Sequence, residues 1–357
     1  MSETFTSKTT AVAGGRLVYF DALRIVAILL VVFNHLPGYT LYMSNTGPKA
    51  WLYMLLTMVT RINVPLFLMV SGALLLGKHE SISRIPRHRA SRIVGCIGLF
   101  GALCYLVKGS GGGASFLRDL LAGKIEGSYW FLYAYLGMLL LLPFLRMVAS
   151  GLGRAEFRYL LLLHLLLSAI VPMTSYVLAA TSGEGYSLNL SLPLAATKQL
   201  FYPLVGYYLS RVDLGKVGGK DVAMMFGAAL GGIVVSCLFT YHQGVNFGYS
   251  QDFVQLFDWV SAIAVFMLFR LAFDGPTNLS MHLPRIGKAV TFLGPLTFGV
   301  YLLDPLLKRF LYASLSGALE PLLPTLLVSV CWCLVSFTLG SLITWVLKHV
   351  PVVRAIL

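Results

Sequence analysis

Charged side chains are scarce in this sequence, and their scarcity indicates the class of protein. Only 11% of the 357 residues are charged, whereas 57% are apolar, and the mean hydropathy is +0.80. Soluble domains usually contain about 25% charged residues. This composition excludes a soluble globular domain and a disordered chain, so we predict a polytopic membrane protein of the all-α class.

Acidic residues and cysteines are also few, with 14 Asp and Glu and five Cys. A multi-pass glycosyltransferase would be expected to carry an acidic pair in a loop, and loop acids here are sparse. All five cysteines fall within apolar runs, and Cys331 and Cys333 would point to different faces of a helix, so neither a disulfide framework nor a zinc site is indicated and packing roles are favoured. We therefore expect no metal. The cysteines are Cys96, Cys104, Cys237, Cys331 and Cys333.

Apolar runs long enough to cross about 30 Å of hydrocarbon occur ten times. They predict ten transmembrane helices, with both termini on one side of the membrane. The ten runs are Phe20–Tyr39, Tyr53–Leu76, Ile93–Val107, Tyr129–Val148, Tyr159–Ala179, Leu192–Leu209, Val222–Tyr241, Phe253–Phe273, Val290–Leu306 and Leu322–Leu347.

The basic residues predict the orientation, because Lys and Arg accumulate in cytoplasmic loops. Of the 27 Lys and Arg, 18 are assigned to the face that contains both termini and six to the opposite face. Both termini are therefore predicted to be cytoplasmic, with residues 1–18 as a cytoplasmic tail. The net charge of +13 then reflects topology and anionic lipid rather than nucleic acid, which we do not expect as a partner.

Arg24 and His35 lie on the first apolar run, eleven residues apart. In an α-helix this step is about 16 Å of rise and three turns plus roughly 20°. The two side chains therefore face the same way at opposite depths of the membrane. A cation near one face and a titratable base near the other predict a path between them.

Arg89 and Arg92 lie at the start of the third run with i, i+3 spacing. This spacing puts both guanidinium groups on one helical face, where they suit phosphate groups. The same arrangement also suits anionic lipid headgroups, and the spacing does not separate the two interpretations.

A second polar layer is predicted near the outer face, at the depth of His35. A base, a carboxylate that orients it and an arginine that stabilises developing negative charge are the groups needed for acyl transfer to a hydroxyl. A structural polar cluster is the alternative for all but the histidine. The candidates are His35, Arg61, Asp258 and Asp304, and Lys198 is a candidate for the same cavity.

Aromatic residues near the outer ends of the runs have two interpretations. Tyr39, Tyr42, Tyr129 and Trp130, with Trp51 and Tyr53, are typical of an interfacial belt. Tyr129 and Trp130 are also candidates for stacking against the ring of a sugar acceptor.

Taken in order, these motifs resemble those of the acyltransferase-3 family of integral membrane O-acyltransferases. Arg24 and His35, separated by ten residues, resemble its opening motif, and Arg89 with Arg92 resembles its paired arginines. The resemblance covers nearly the whole chain, which we interpret as a single domain, residues 1–357, with no appended soluble domain. Further blocks in family order lie at residues 61–72, 129–133, 206–210, 298–305 and 350–354.

The resemblance implies a ten-helix bundle in the bacterial cytoplasmic (inner) membrane. It would move an acyl group, usually acetyl, from cytoplasmic acyl-CoA to a hydroxyl of an extracytoplasmic or lipid-linked saccharide. His35 would be the essential base, and Arg24, Arg89 and Arg92 would hold CoA. Asp304 stands where the family commonly has histidine, so either Asp304 takes a polar role beside His35 or the position has no chemical role.

The resemblance also sets the expected ligands. Acyl-CoA, a glycan acceptor and membrane lipids are expected as partners, with no permanently bound cofactor. A second copy of the chain and proteins of polysaccharide assembly are candidate partners. Direct transfer is the favoured mechanism, and an acyl-enzyme on Ser71 is the alternative.

Two other function classes stay open at the level of sequence. A secondary transporter or flippase of a polysaccharide pathway would also be a ten-span bundle, although the halves of this chain show no self-similarity of the kind found in inverted repeats. A non-catalytic partner of a polysaccharide assembly complex would differ only in tolerating substitution of His35.

Overall fold

The fold is known from a computed structural model, which describes residues 17–45, 47–78, 80–109, 112–182, 198–249, 253–275 and 278–357. Helices and turns account for the structure, and no strand occurs within these ranges. The all-α prediction is therefore confirmed. The predicted tail, residues 1–18, lies outside the described residues except for its last two.

Thirteen helices are used below, numbered in chain order. They are α1 (Val18–Asn34), α2 (Gly47–Leu75), α3 (Ile85–Lys108), α4 (Gly113–Leu121), α5 (Gly127–Leu140), α6 (Leu142–Ser150), α7 (Arg154–Ser182), α8 (Lys198–Leu209), α9 (Gly219–Phe247), α10 (Phe253–Asp274), α11 (Pro284–Leu319), α12 (Thr325–Leu347) and α13 (Pro351–Ile356).

Seven of the described helices are long and apolar enough to cross a membrane, and the count rises to nine if two bent pairs each form one span. One pair is α1 with the 3-10 segment Pro37–Met43, and the other is α5 with α6; each is bent by 60°. Of the sixth predicted run, only Lys198–Leu209 is described. Many large apolar side chains on the outer helices α7 and α9 are exposed, as expected for a protein surrounded by lipid.

Two predicted spans are bent rather than straight. The first run was predicted to continue as helix to Tyr39, but α1 ends at Asn34. Proline lacks an N–H and disfavours helical backbone at the residue before it, and Leu36, before Pro37, is extended (φ −114°, ψ 159°). Pro143 begins the second half of the fourth run in the same way, at the first turn of α6.

Helix α1 is the central element of the bundle. It packs against α2, α10, α11 and α12, and most of its side chains are buried, Asp21 included. The helix that carries Arg24 and His35 is therefore held on several sides, which gives those two side chains a defined separation.

Helices α2 and α8 cross unusually closely. Each contributes a glycine at the crossing, Gly72 opposite the backbone of Pro203 and Gly206 opposite the backbone of Met69. A Cβ atom on either glycine would collide with main-chain atoms, which cannot move aside as a flexible side chain can. The Ser-Gly pair at the end of the 61–72 block thus has a packing reason for its glycine.

Candidate active site

A cavity of about 700 Å³ runs through the bundle beside α1. Arg24, Arg89, Arg92, His35 and Arg61 all line it. Arg61 follows Thr60, which bonds to the end of α1 that carries His35, whereas Arg89 is linked through Glu80 and Arg146 to Leu75 at the far end of α2. Arg24 and His35 are separated by eleven residues of α1, or about 16 Å. The cavity therefore has an arginine end and a histidine end. Its wall also carries the apolar and aromatic side chains of Val31, Val64, Phe67, Ile93, Phe131, Leu132, Tyr135 and Leu139.

The histidine end is built where α1 stops. His35 caps α1, and its own backbone N–H still bonds to the carbonyl of Val32 (3.1 Å). Its carbonyl, one of those left unpaired at a helix C-terminus, accepts a hydrogen bond from Nζ of Lys308 on α11. The imidazole is thus carried by a backbone that is tied to a second helix.

A carboxylate and a hydroxyl support the imidazole. His35 Nδ1 lies 3.0 Å from Asp304 Oδ2, and Asp304 Oδ1 accepts a hydrogen bond from the Ser336 hydroxyl (2.8 Å). Asp304 is 2% exposed and Ser336 is fully buried, whereas the His35 side chain is 24% exposed. A carboxylate at Nδ1 favours the proton on that nitrogen and leaves Nε2 as an unprotonated base.

Arg61 lies at a second helix break. Pro65 has no N–H to donate to the carbonyl of Arg61, and its ring would collide with that carbonyl in a regular helix. Residues 61–62 accordingly form a turn within α2, and the Arg61 guanidinium lies 5.7 Å from the centre of the Tyr39 ring. The Asn34 side-chain amide donates to the Thr60 carbonyl (3.4 Å), which joins this break to the end of α1.

The arginine end begins with Arg24 on α1. Its Nη1 lies 3.3 Å from Asp21 Oδ1, and the carboxylate is buried while the arginine side chain is 31% exposed. The pair at i, i+3 holds the guanidinium on one face of the helix. Arg24 is thereby held at the cavity wall with part of its surface accessible.

Arg89 and Arg92 line the same end of the cavity from α3. Arg89 forms two hydrogen bonds to Glu80, of 3.1 and 2.6 Å, and Arg92 Nε donates to the Ile356 carbonyl of α13 (2.8 Å). The first six residues of α3, Ile85–Ala90, form a π-helix that continues directly into the α-helix. Both arginines therefore reach one cavity, as their spacing predicted.

Several side chains of the site had no strong signal in the sequence. Ser336 and Arg146 lie outside the motif blocks, and Lys308 lies three residues past the end of one. Only the packing of helices brings these side chains to Asp304, Glu80 and the His35 carbonyl, respectively. Glu80 had a signal that went unused, since it is the one carboxylate between Lys78 and Arg92 in the sequence.

Four predicted site residues do not line the cavity, namely Asp304, which contacts His35, and Asp258, Lys198 and Tyr129. Asp258 instead bonds to the Tyr202 hydroxyl (3.1 Å) and lies 3.4 Å from Lys198 Nζ, which also donates to Gln255 (2.6 Å). Tyr129 is 3% exposed and donates to the Leu302 carbonyl (2.6 Å). Of the two carboxylates considered as partners for His35, the structure therefore places Asp304 beside it and gives Asp258 other contacts.

The predicted aromatic belt is wrong for three of its members. Tyr39, Tyr42 and Tyr129 are 4% exposed or less, because the bend after α1 and the start of α5 fold these rings inward. Trp130 differs from Tyr129, since it is 50% exposed and also lines the cavity. Only Trp130 of the two aromatic acceptor candidates thus lies on the cavity wall.

The assembled groups suit transfer of a group between an anionic ligand and a hydroxyl. The histidine end supplies a base with a buried orienting carboxylate, and the arginine end supplies cations for phosphate. Within the described ranges no group of three His, Cys, Asp or Glu side chains could hold a metal ion.

Comparison with known protein families identifies the family of this chain. The family model described as an acyltransferase domain, that of the acyltransferase-3 family, matches residues 17–345. Neither the curated proteins nor the solved structures contain a significant match to the chain. The matched range holds α1 to α11 and nearly all of α12, and it includes every residue that lines the cavity except Lys348 and Leu357. The chain is therefore a multi-pass membrane protein that belongs to the acyltransferase-3 family.

Proposed function

We propose that this protein transfers an acetyl group from acetyl-CoA to a hydroxyl of an extracytoplasmic or lipid-linked saccharide. The observation that carries the proposal is the single cavity lined by arginines at one end and by His35 at the other. A donor with a phosphorylated nucleotide and a thin acylated arm has the same division into an anionic end and a reactive end.

The donor would enter at the arginine end. Arg24, Arg89 and Arg92 provide charged N–H groups for its phosphates, and the pantetheine arm would lie along the wall formed by residues such as Phe67 and Tyr135. The eleven-residue step along α1, about 16 Å, is the distance that the arm must cover. The predicted cytoplasmic position of Arg89 and Arg92 fits a donor made in the cytoplasm.

The reaction would proceed by direct transfer at His35. Nε2 removes the proton of the acceptor hydroxyl as the oxygen attacks the thioester carbonyl, and the tetrahedral intermediate collapses with departure of the CoA thiolate, which takes the proton from His35. Asp304 stabilises the imidazolium that forms in between. Arg61, on the cavity wall at the same end, would stabilise the negative charge on the carbonyl oxygen.

The position of Ser71 favours direct transfer over an acyl-enzyme. Its hydroxyl donates to the Phe67 carbonyl one turn earlier in the helix (2.8 Å). It also lies ten residues beyond Arg61 in α2, about 15 Å of rise toward the other end. A nucleophile would need to lie within reach of His35.

A vesicle assay tests the proposal. Inverted membrane vesicles that contain the protein are given acetyl-CoA labelled in the acetyl group, and the saccharide fraction is analysed for base-labile label. We expect label in the saccharide with the wild-type protein and none with His35→Ala at equal expression. Movement of saccharide across the vesicle membrane with no acetylation in either sample would instead support a transporter or flippase.

Donor binding is measured separately in detergent. A ligand that binds only the folded state raises the melting temperature. We expect acetyl-CoA and CoA to stabilise the wild-type protein more than ATP does, and Arg24→Ala to reduce that stabilisation. Equal stabilisation by ATP and CoA would contradict a dedicated CoA site.

A further inference from the structure

Glu80 is the hub of an ion-pair network beside the arginine end of the cavity. Its Oε1 accepts from Arg89 Nη2 (2.6 Å), and its Oε2 accepts from Arg89 Nε and from Arg146 Nη2 (3.1 Å each). The Glu80 side chain is 12% exposed. The carboxylate is thus shared between an arginine that lines the cavity and one that does not.

Arg146 anchors this network to the end of a helix. Its Nε and Nη2 both donate to the carbonyl of Leu75, the last residue of α2 (3.1 Å each). That carbonyl lies at the C-terminus of the helix, where a cation is favoured, and it also accepts a hydrogen bond from the Lys78 N–H (3.4 Å). The hydrogen bonds from Arg89 lower the pKa of Glu80 to about 2, so the carboxylate is charged at any physiological pH.

The geometry leaves Arg89 with N–H groups to spare. A guanidinium carries five N–H donors in a planar fork. Among the described residues, Arg89 uses two of them on Glu80, which leaves three on a side chain that lines the cavity. Arg92 is held in a comparable way, since its Nε donates to the Ile356 carbonyl and its other four N–H donors have no hydrogen bond within the part of the chain that the structure describes.

We infer that Glu80 is a positioning residue for the acyl donor. It accepts two hydrogen bonds from one edge of the Arg89 guanidinium, fixes the plane of the group, and leaves the remaining edge available to the phosphate groups of CoA. Without these hydrogen bonds, the long arginine side chain would lose rotational freedom each time the donor binds, and that loss would weaken binding. The inference rests on the proposed function, because it assigns Glu80 to the donor end of that same cavity.

Removal of the Glu80 carboxylate changes donor binding in opposite directions for two possible roles of this residue. If the carboxylate merely competed with phosphate for Arg89, its removal would strengthen donor binding. If it orients Arg89, its removal weakens binding of a phosphorylated donor and leaves a donor without phosphate unaffected. A purely structural role would impair both donors and lower the melting temperature.

The test compares Glu80→Gln with the wild-type protein on two donors, acetyl-CoA and S-acetylpantetheine, which has the same arm and thioester but no phosphate. We expect the KM for acetyl-CoA to rise roughly tenfold, as for loss of an oriented charge-assisted contact. The KM for acetylpantetheine and kcat with both donors should be unchanged. Asp274→Asn is the matched control, since it removes a carboxylate paired with Arg270 (3.7 Å) that does not line the cavity.

A second variant keeps the inference testable if Glu80→Gln fails to fold. Arg146→Lys keeps the charge but cannot bridge Leu75 and Glu80 with a planar fork, and it should raise the KM for acetyl-CoA alone, by a smaller factor. The inference would be overturned by a lower KM for acetyl-CoA or by an equal increase in KM for both donors. Unchanged KM values in both variants would also overturn it. If the wild-type protein fails to use acetyl-CoA at all, the proposed function itself is wrong, and this inference is wrong with it.

Discussion

The two ends of the cavity are built on different principles. At the histidine end, a single base is supported by buried groups, with Asp304 2% exposed and Ser336 fully buried. At the arginine end, the cations Arg24 and Arg89 are 31% and 24% exposed, and each is held by a carboxylate on one edge.

The difference matches the role that we propose for each end. A base must keep one tautomer and one orientation, and a buried carboxylate in a low-dielectric site enforces both. A phosphate site must admit and release a highly charged ligand, so its cations need remaining donors and contact with water. Substitutions at the histidine end should therefore lower kcat, and those at the arginine end should raise the KM for the donor.

The largest effect is expected from His35→Ala. Loss of the base should lower kcat roughly 10³-fold, while acetyl-CoA still raises the melting temperature because the arginine end is intact. Acetyl transfer in vesicles and thermal stabilisation in detergent measure the two quantities on the same preparation. Loss of both together would contradict the separation of the two ends.

The next largest effect is expected from Asp304→Asn. An amide in place of the carboxylate keeps the shape but no longer favours the proton on Nδ1 or stabilises the imidazolium, so kcat should fall on the order of 10²-fold. Asp258→Asn is the matched comparison, because Asp258 is also buried and hydrogen-bonded but contacts Tyr202 and Lys198 instead. A greater loss of kcat in Asp258→Asn would show that the wrong carboxylate has been assigned to His35.

An intermediate effect is expected from Arg24→Ala. Removal of this cation should raise the KM for acetyl-CoA roughly tenfold and change kcat little, since the interaction is made equally in the ground state and the transition state. Initial rates over a range of acetyl-CoA concentrations separate the two constants. A fall in kcat with unchanged KM would place Arg24 in the chemical step.

The smallest effect is expected from Ser71→Ala. Its hydroxyl bonds within its own helix, so the change should alter activity less than about twofold. Steady-state rates test this directly, and trapping with labelled acetyl-CoA tests for acetyl-protein. An inactive variant, or acetyl-protein that disappears in it, would support the acyl-enzyme route.

Prediction from sequence succeeded where the signal was local. The Arg24–His35 step and the Arg89–Arg92 step depend only on helical geometry, and all four side chains line one cavity. Prediction failed where the backbone departs from a straight helix. Tyr39 and Tyr42 were placed at an outer belt because the first run was extended past Pro37, and the bend carries both rings inward.

The sequence also could not decide which carboxylate contacts His35. Asp258 and Asp304 lie at similar depths in their runs, so depth did not tell which one would meet His35. Helix rotation and neighbour order decide such a contact, and both depend on packing between elements far apart in the chain. Asp304 meets His35 across 269 residues.

Composition and periodicity alone determined that this chain is an all-α membrane protein, and one eleven-residue spacing determined that a cation and a base share a helix face. These properties follow from transfer free energies and from the helical repeat, which act residue by residue. Only the tertiary structure placed Asp304 between His35 and Ser336, and Glu80 between Arg89 and Arg146. Those contacts depend on how separate helices pack, and packing is a property of the whole bundle.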